Sequence, residues 1–307
     1  MPADTLRRDD DRHIHFRWSA ALPPALTIDT GAEVIVETRS GEDDQFRPES
    51  VAADVRRMDM RRLHALSGPI FVRGAEPGDT LAIHIRDVQT ADWGFTMQRP
   101  GAGLLLGFPD YFRAYALRDG FAELTPNVRI PLRPFLGVMG VAPADGDYST
   151  IPPGPHGGNL DCRDLIAGST LYLPVFVAGA LFSCGDGHAA QGDGEVCVTA
   201  IECAVTARLR FELLKNRPAL AEPRAETPAE WMTLSAAPTF EQAARQCLEA
   251  MLDLIGERTG LARADAYALA SAAVDLRVNQ VVNRPMIGVR AVLSKAVVRS
   301  IAYTPPS

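Results

Sequence analysis

The chain reads as a mainly β protein with a smaller α+β portion toward its C-terminal end. Three observations carry this. Apolar and polar residues alternate in several segments of residues 1–215. Proline and glycine recur too often between 92 and 155 to allow long helices. Beyond residue 239 the apolar period becomes that of a helix. A polar, proline-bearing connection follows Leu214, so residues 1–215 are expected to form a β unit and 216–307 the α+β portion. At 307 residues there is room for one large or two ordinary domains.

Taken in order, residues 1–12 are charged, and His13-Ile14-His15-Phe16-Arg17-Trp18 alternates as a strand with His13 and His15 on one face. Residues 26–38 and 74–88 echo each other as turn-plus-strand units, with Gly31 aligned on Gly78. A short helix is expected near 50–60, and short strands joined by loops from 92 to 150. Residues 171–182 form the most apolar run, expected as a strand between the two polar clusters, and 195–214 alternate as the clearest long strand. Phe240, Ala243, Cys247, Met251, Leu254 and Ile255 share one helical face. Thr239 and Gln242 make a capping box ahead of that helix, and Gly260 stops it. A second helical run covers 263–278, followed by strand-like composition at 278–283 and 288–298.

The hydrophobic fraction of 47% and charged fraction of 22% are those of a soluble globular protein. A formal net charge of −7 without a basic patch argues against nucleic acid or an anionic membrane surface as partner. No apolar run reaches the length of a membrane span, and the first residues lack the apolar segment of a secretory signal. Five cysteines without CxxC spacing read as reduced packing residues, which points to the cytoplasm.

Polar chemistry concentrates between 156 and 202, in glycine-rich turns that flank the apolar run. The first cluster is His156-Gly157-Gly158-Asn159-Leu160-Asp161. Asn159 and Asp161 point the same way if it is extended, and an Asx-type turn accounts for it equally well. In the second cluster, Asp186 and His188 share a face of any strand that contains them. Three readings stay open there. The pair can ligate a cation, it can act as an acid–base pair on a water, or the segment is a hairpin turned at Gln191-Gly192-Asp193-Gly194. Asp186, His188 and one of His156, Asp161 or Glu195 would reach the three ligands of a catalytic metal site. There is no HExxH, no G-x-S-x-G elbow and no phosphate-binding loop. Cys184 lies beside the pair, but His188 four residues on does not stand in a helical relation to it, which disfavours a thiol nucleophile.

Together the two clusters resemble the acetamidase/formamidase family. The resemblance rests on SGPIFVRGAEPGDTLAIHIRDV (67–88), RPFLGVMGVAP (133–143), residues 153–202, and DLRVNQVVN and GVRAVLSKAV in the tail, so it covers nearly the whole chain. It implies a jelly-roll-like β-sandwich, a homo-oligomer, and hydrolysis of a short aliphatic amide to its acid and ammonia. It also implies a divalent metal, zinc with calcium as the other candidate. The family's motif residues map onto His156, Asn159, Asp161, Asp186, His188, Gln191 and Glu195, with Glu37 of Val36-Glu37-Thr38 as a further acidic position. On this basis Asp186 and His188 are expected to hold the metal. Glu195, Asp161 and His156 are expected to be catalytic, and Asn159, Gln191 and Glu37 to contact substrate. Residues 39–60 are individual to this chain and leave the amide open. A metal-free Glu/Lys/Cys amidase is disfavoured because both lysines, Lys215 and Lys295, lie outside the clusters. The alternative from another class is a non-catalytic β-sandwich that binds a small metabolite or ion.

Overall fold

The computed structural model describes residues 3–298. Two large sheets, nine- and eleven-stranded, face each other, with a small third sheet pairing Arg17–Ser19 and Asp147–Ser149. The pairing is antiparallel except where Asp4–Leu6 joins Glu33–Glu37 and Leu26–Ile28 joins Leu66–Val72. The mainly β expectation therefore holds.

The nine-stranded sheet is built on Thr80–Thr90 and Val205–Leu214, which pair along most of their length. Alternation gives each strand one apolar face. Leu81, Ile83 and Ile85 from the first, and Leu209 and Phe211 from the second, are buried in one core with Leu136, Met139, Phe182 and Cys184 of the opposite sheet. Phe182 and Phe211 meet edge to face across the sandwich, ring centroids 5.2 Å apart. Each such side chain contributes about 1.5–3 kcal/mol by leaving water, so the shared core holds the sheets together.

The C-terminal elements follow the sequence closely. Thr239 caps the helix Phe240–Thr259 by accepting from the Gln242 N–H, and Gly260 closes it at φ 72°. Ala243, Cys247, Met251 and Ile255 form a separate small core against Val289 and Leu293. The strands Arg224–Glu226, Glu230–Ala237, Ile287–Ser294 and Val274–Gln280 continue the nine-stranded sheet from Thr170–Pro174, so hydrogen bonding runs unbroken across the boundary expected near 215.

Four local expectations change. The apolar run 171–182 is not one strand. Thr170–Pro174 lies in one sheet and Phe182–Ala190 in the other, and the chain crosses between them through Ala180 and Leu181 at positive φ. The long strand expected from 195 is split: Glu195 and Val198 are left-handed at φ 45° and 87°, Ile201–Cys203 joins the eleven-stranded sheet, and only Val205–Leu214 runs in the nine-stranded one. The second helix ends at Ala273, and residues from Val274 pair with Ile287–Ser294 instead. His13 belongs to a helical turn beside Asp10, whereas His15 is buried with Nε2 2.8 Å from Ser183 Oγ.

One buried cation ties the C-terminal strands to the rest. Arg290, 1% exposed, donates through Nε to Asp164 (2.9 Å) and through its terminal nitrogens to Asn279 Oδ1 (2.7 Å) and both oxygens of Asp193 (2.9 and 3.0 Å). Arg290→Met strands Asp164 and Asp193 against an apolar side chain. The expected loss is about 3 kcal/mol, the low end for breaking a buried pair, because Arg133 still faces Asp164. Urea unfolding measures it, and an unchanged midpoint would count against the clamp.

Candidate metal centre and active-site cavity

The strand Phe182–Ala190 is buried at every position. It carries Asp186 and His188, and His188 Nε2 lies 3.5 Å from Asp186 Oδ2. On the neighbouring strand, Gly137 falls between the registered pairs Leu136–Gly187 and Val138–Gly185. A Cβ at Gly137 would stand 2.8 Å from Asp161 Oδ1, 2.9 Å from Asp186 Oδ2 and 3.0 Å from His188 Cε1. Only a glycine leaves room for the three side chains to converge.

The other members arrive from separate segments. Asp161 follows the short strand Gly157–Asn159, its N–H bonded to the Gly137 carbonyl (3.1 Å) and its Oδ2 accepting from the Asn283 amide. Glu202, on Ile201–Cys203, registers directly opposite His188, with Oε2 3.2 Å from His188 Nε2 but without hydrogen-bond geometry. Glu195 Oε1 is 4.0 Å from the same nitrogen. Glu42 enters from a loop pinned by ion pairs of its neighbour Asp43 with Arg39 and Arg62. His64 Nε2 stands 4.0 Å from Asp186. Asp161, Asp186 and Glu195 all have left-handed backbones, at φ 43°, 57° and 45°. Each such residue costs on the order of 1–3 kcal/mol, and such strain clusters at functional sites.

Burial dominates the proton affinities. It pushes Asp161 up to about 7, where the charge on Asp186 adds to it and His188 opposes it. Burial and then the repulsion of Asp186 likewise bring Glu202 to about 7 against the pull of His188. Glu42 is held well above the carboxylate range by burial and by Glu202 and Asp186. Glu195 is raised by burial and by Asp161. Burial works against charging Asp186 as well, but His64 and His188 overcome it and keep that carboxyl low. Burial opposes a proton on His188, yet Glu202 and Asp186 outweigh it and raise the imidazole well above its usual value.

These residues fit a divalent cation. Asp161 Oδ1, His188 Nε2, Glu202 Oε2 and Glu42 Oε2 are buried and bond nothing. Ligand atoms of Asp161, Asp186 and His188, and of His188, Glu195 and Glu202, lie within 4.8 Å of one another in each trio. His188 is oriented from behind. Its Nδ1 donates to Gln191 Oε1 (2.8 Å), and Gln191 Nε2 donates to the carbonyls of Asp161 (2.8 Å) and Asn279 (3.2 Å). That leaves Nε2 as the free ligand nitrogen. Above the cluster lies a cavity of about 300 Å³, with Glu42, Asp186, Glu195 and Glu202 on its wall.

The structure thus gathers Asp161, Asp186, His188, Gln191 and Glu195 and separates the other three expected residues. Gln191, expected to contact substrate, has its amide fully used in holding His188 and the two carbonyls. Glu37 lies away from the cluster, on a strand facing Thr206 and 3.8 Å from Arg7. His156 packs edge-on against Trp18, centroids 5.2 Å apart, burial lowers it to about 4, and it bonds none of the clustered groups. Asn159 donates to the Ile151 carbonyl (3.0 Å) and supports the turn before Asp161. Glu42, His64, Glu202 and Asn283 were not expected. A shared pattern points to one of them, since Gly41-Glu42 repeats the glycine-then-carboxylate order of Gly185-Asp186 and Gly194-Glu195. Burial pushes the Cys162 thiol up to about 11 and Cys184 up to about 12, consistent with packing rather than nucleophilic roles.

Three expectations follow. Gly137→Ala should retain the β circular dichroism of the parent but weaken cation binding at least about tenfold, in line with losses at supporting positions. Isothermal titration with Zn²⁺ reads this, and parental affinity would show that the gap under the cluster is unimportant. Asp161, Glu202 and His188 all have raised proton affinities, so protons compete with a cation below about pH 7. Affinity should therefore rise from pH 5.5 to 8. The raised carboxyls also favour the folded cation-free protein at low pH, a contribution lost as pH rises through about 7. Urea midpoints of the cation-free protein should fall across that window.

Comparison with known proteins agrees with the motifs. The profile of the acetamidase/formamidase family matches residues 3–146 and 144–299. A formamidase from Methylophilus methylotrophus is 30% identical, with 68% of this chain and 66% of that protein covered. The chain spans about two thirds of the length of the curated relatives it matches. A crystal structure of an acetamidase from Bacillus halodurans superposes with a TM-score of 0.89 at 34% identity, over 95% of this chain and 98% of that one. A gamma lactamase from Delftia acidovorans superposes with a TM-score of 0.68 at 25% identity, over 99% and 95%. With residues 3–299 matched by the family profile and its sheets by the acetamidase structure, this chain belongs to the acetamidase/formamidase family.

Proposed function

We propose that the protein hydrolyses a short amide to its carboxylate and ammonia in the cavity above His188. The observation that carries this is the set of buried, unbonded ligand atoms on Asp161, His188, Glu202 and Glu42, beside a cavity walled by Glu42, Asp186, Glu195 and Glu202, in a relative of formamidases and acetamidases. Asp186 and His188, with Asp161, would hold a divalent cation. The imidazole nitrogen favours zinc over calcium, which takes oxygen ligands. A bound cation supplies positive charge that acidifies a water and polarises the amide carbonyl.

The chain's own groups do the rest. Glu195, raised by burial and by Asp161, is suited to take a proton from the attacking water and return it to the departing nitrogen. Glu202 and Asp186 balance His188, and Gln191 keeps the ring in one tautomer. Met58, Leu63 and Met97 line the cavity with apolar surface that limits bulk water. Five free cysteines are consistent with a reducing, cytoplasmic setting. Exposed Leu105, Leu106 and Phe108 are consistent with self-association. No helix among the described residues is long and apolar enough to cross a membrane.

Ammonia release from a panel of short amides by the zinc-loaded protein tests the reading. Asp186→Ala and His188→Ala should each lower kcat/KM at least about a hundredfold, and Glu195→Gln should lower kcat by about 10²–10⁴. Full activity in both Asp186→Ala and His188→Ala would remove the cluster from the reaction. Full activity after exhaustive chelation would remove the metal alone. Cation binding with no ammonia from any amide would favour the non-catalytic binder.

A further inference from the structure

The cavity is larger than the smallest amides need. Its volume of about 300 Å³ equals roughly ten water molecules at their ~30 Å³ share of the liquid. Formamide or acetamide would leave most of it wet. The walls explain what else fits. Met58, Leu63, Met97 and Val282 supply an apolar stretch, and Arg99 and Arg284 line the same cavity.

Neither arginine has a carboxylate within ion-pair distance among the described residues, although four carboxylates line the same cavity. Arg39 and Arg62, by contrast, both pair with Asp43. Arg99 Nε is buried and bonds nothing, and its guanidinium meets only the Met60 sulfur, at 3.1 Å, a weak acceptor. Arg284 is exposed, so the unbalanced charge is that of Arg99, whose partly buried guanidinium without an anion is unfavourable unless a ligand supplies one. The planar fork of arginine matches a carboxylate in particular.

We infer that the substrate is an amide joined by a short aliphatic stem to a carboxylate, the monoamide of a short dicarboxylic acid. This rests on the amide-hydrolase reading above. The amide faces the His188 cluster, the stem lies against the methionines, and Arg99 with Arg284 receives the carboxylate. Water adds to the amide carbon, the C–N bond breaks, and the nitrogen leaves as ammonia, giving the dicarboxylate.

The test compares kcat/KM of the zinc-loaded protein for succinamate and for 4-methylpentanamide, in which an isopropyl group replaces the carboxylate. The expected preference for succinamate is at least tenfold. Arg99→Met and Arg284→Met should each reduce that ratio severalfold by lowering the succinamate value more than the neutral one. A wild-type ratio of one or below overturns the inference and needs no variant to fold. A ratio unchanged in both variants overturns it too, since the arginines would then only offset the field of the cavity carboxylates. If acetamide and both probes release no ammonia, the amide-hydrolase reading fails first and takes this inference with it.

Discussion

Five carboxyl groups, those of Glu42, Asp161, Asp186, Glu195 and Glu202, are buried around the His188 imidazole, with His64 beside Asp186, and the structure is arranged to tolerate that. Taking this many acids out of water is costly unless protons or cations balance them. In the cation-free protein the balance comes from protons, held on His188 and on the raised carboxyls. A divalent cation can take the place of those protons, which is why the unbonded ligand atoms and the shifted proton affinities describe one site rather than two facts.

Such a cluster needs rigid support. Asp186 and His188 stand on a strand with neighbours on both sides, and Glu202 faces His188 in register. Gln191 holds the ring through Nδ1 and bonds the backbone of both Asp161 and Asn279. Arg290 grips Asp164, Asp193 and Asn279, so it joins the segment after Asp161, the loop before Glu195 and the C-terminal strand. The α+β portion is therefore part of the support for the site, even though Asn283 is its nearest contribution to the ligands.

Much of the architecture was legible in the residues. The helix Phe240–Thr259, its Thr239 cap and its Gly260 stop follow from local spacing, because capping and helical period act within a few residues. The strand cores at Thr80–Thr90 and Val205–Leu214 follow from alternation. Asp186 and His188 were readable as neighbours because two residues along a strand share a face. Glu37 and His156 were not separable from the site by pattern, since a carboxylate in VET and a histidine before Gly-Gly look the same paired with Arg7 or packed on Trp18 as they would in a pocket.

The sequence by itself determined the sheet-forming periods and the helical tail, and it placed Asp186 and His188 on one face of any strand that holds them. Those depend on contacts between residues close in the chain. Only the tertiary structure decided that Glu42, His64 and Glu202 join them, and that Gln191 supports the ring instead of facing the cavity. That convergence depends on strand register between distant segments and on the sign of φ at Asp161, Asp186 and Glu195. A left-handed residue redirects its side chain and ends the alternation on which any reading from spacing relies.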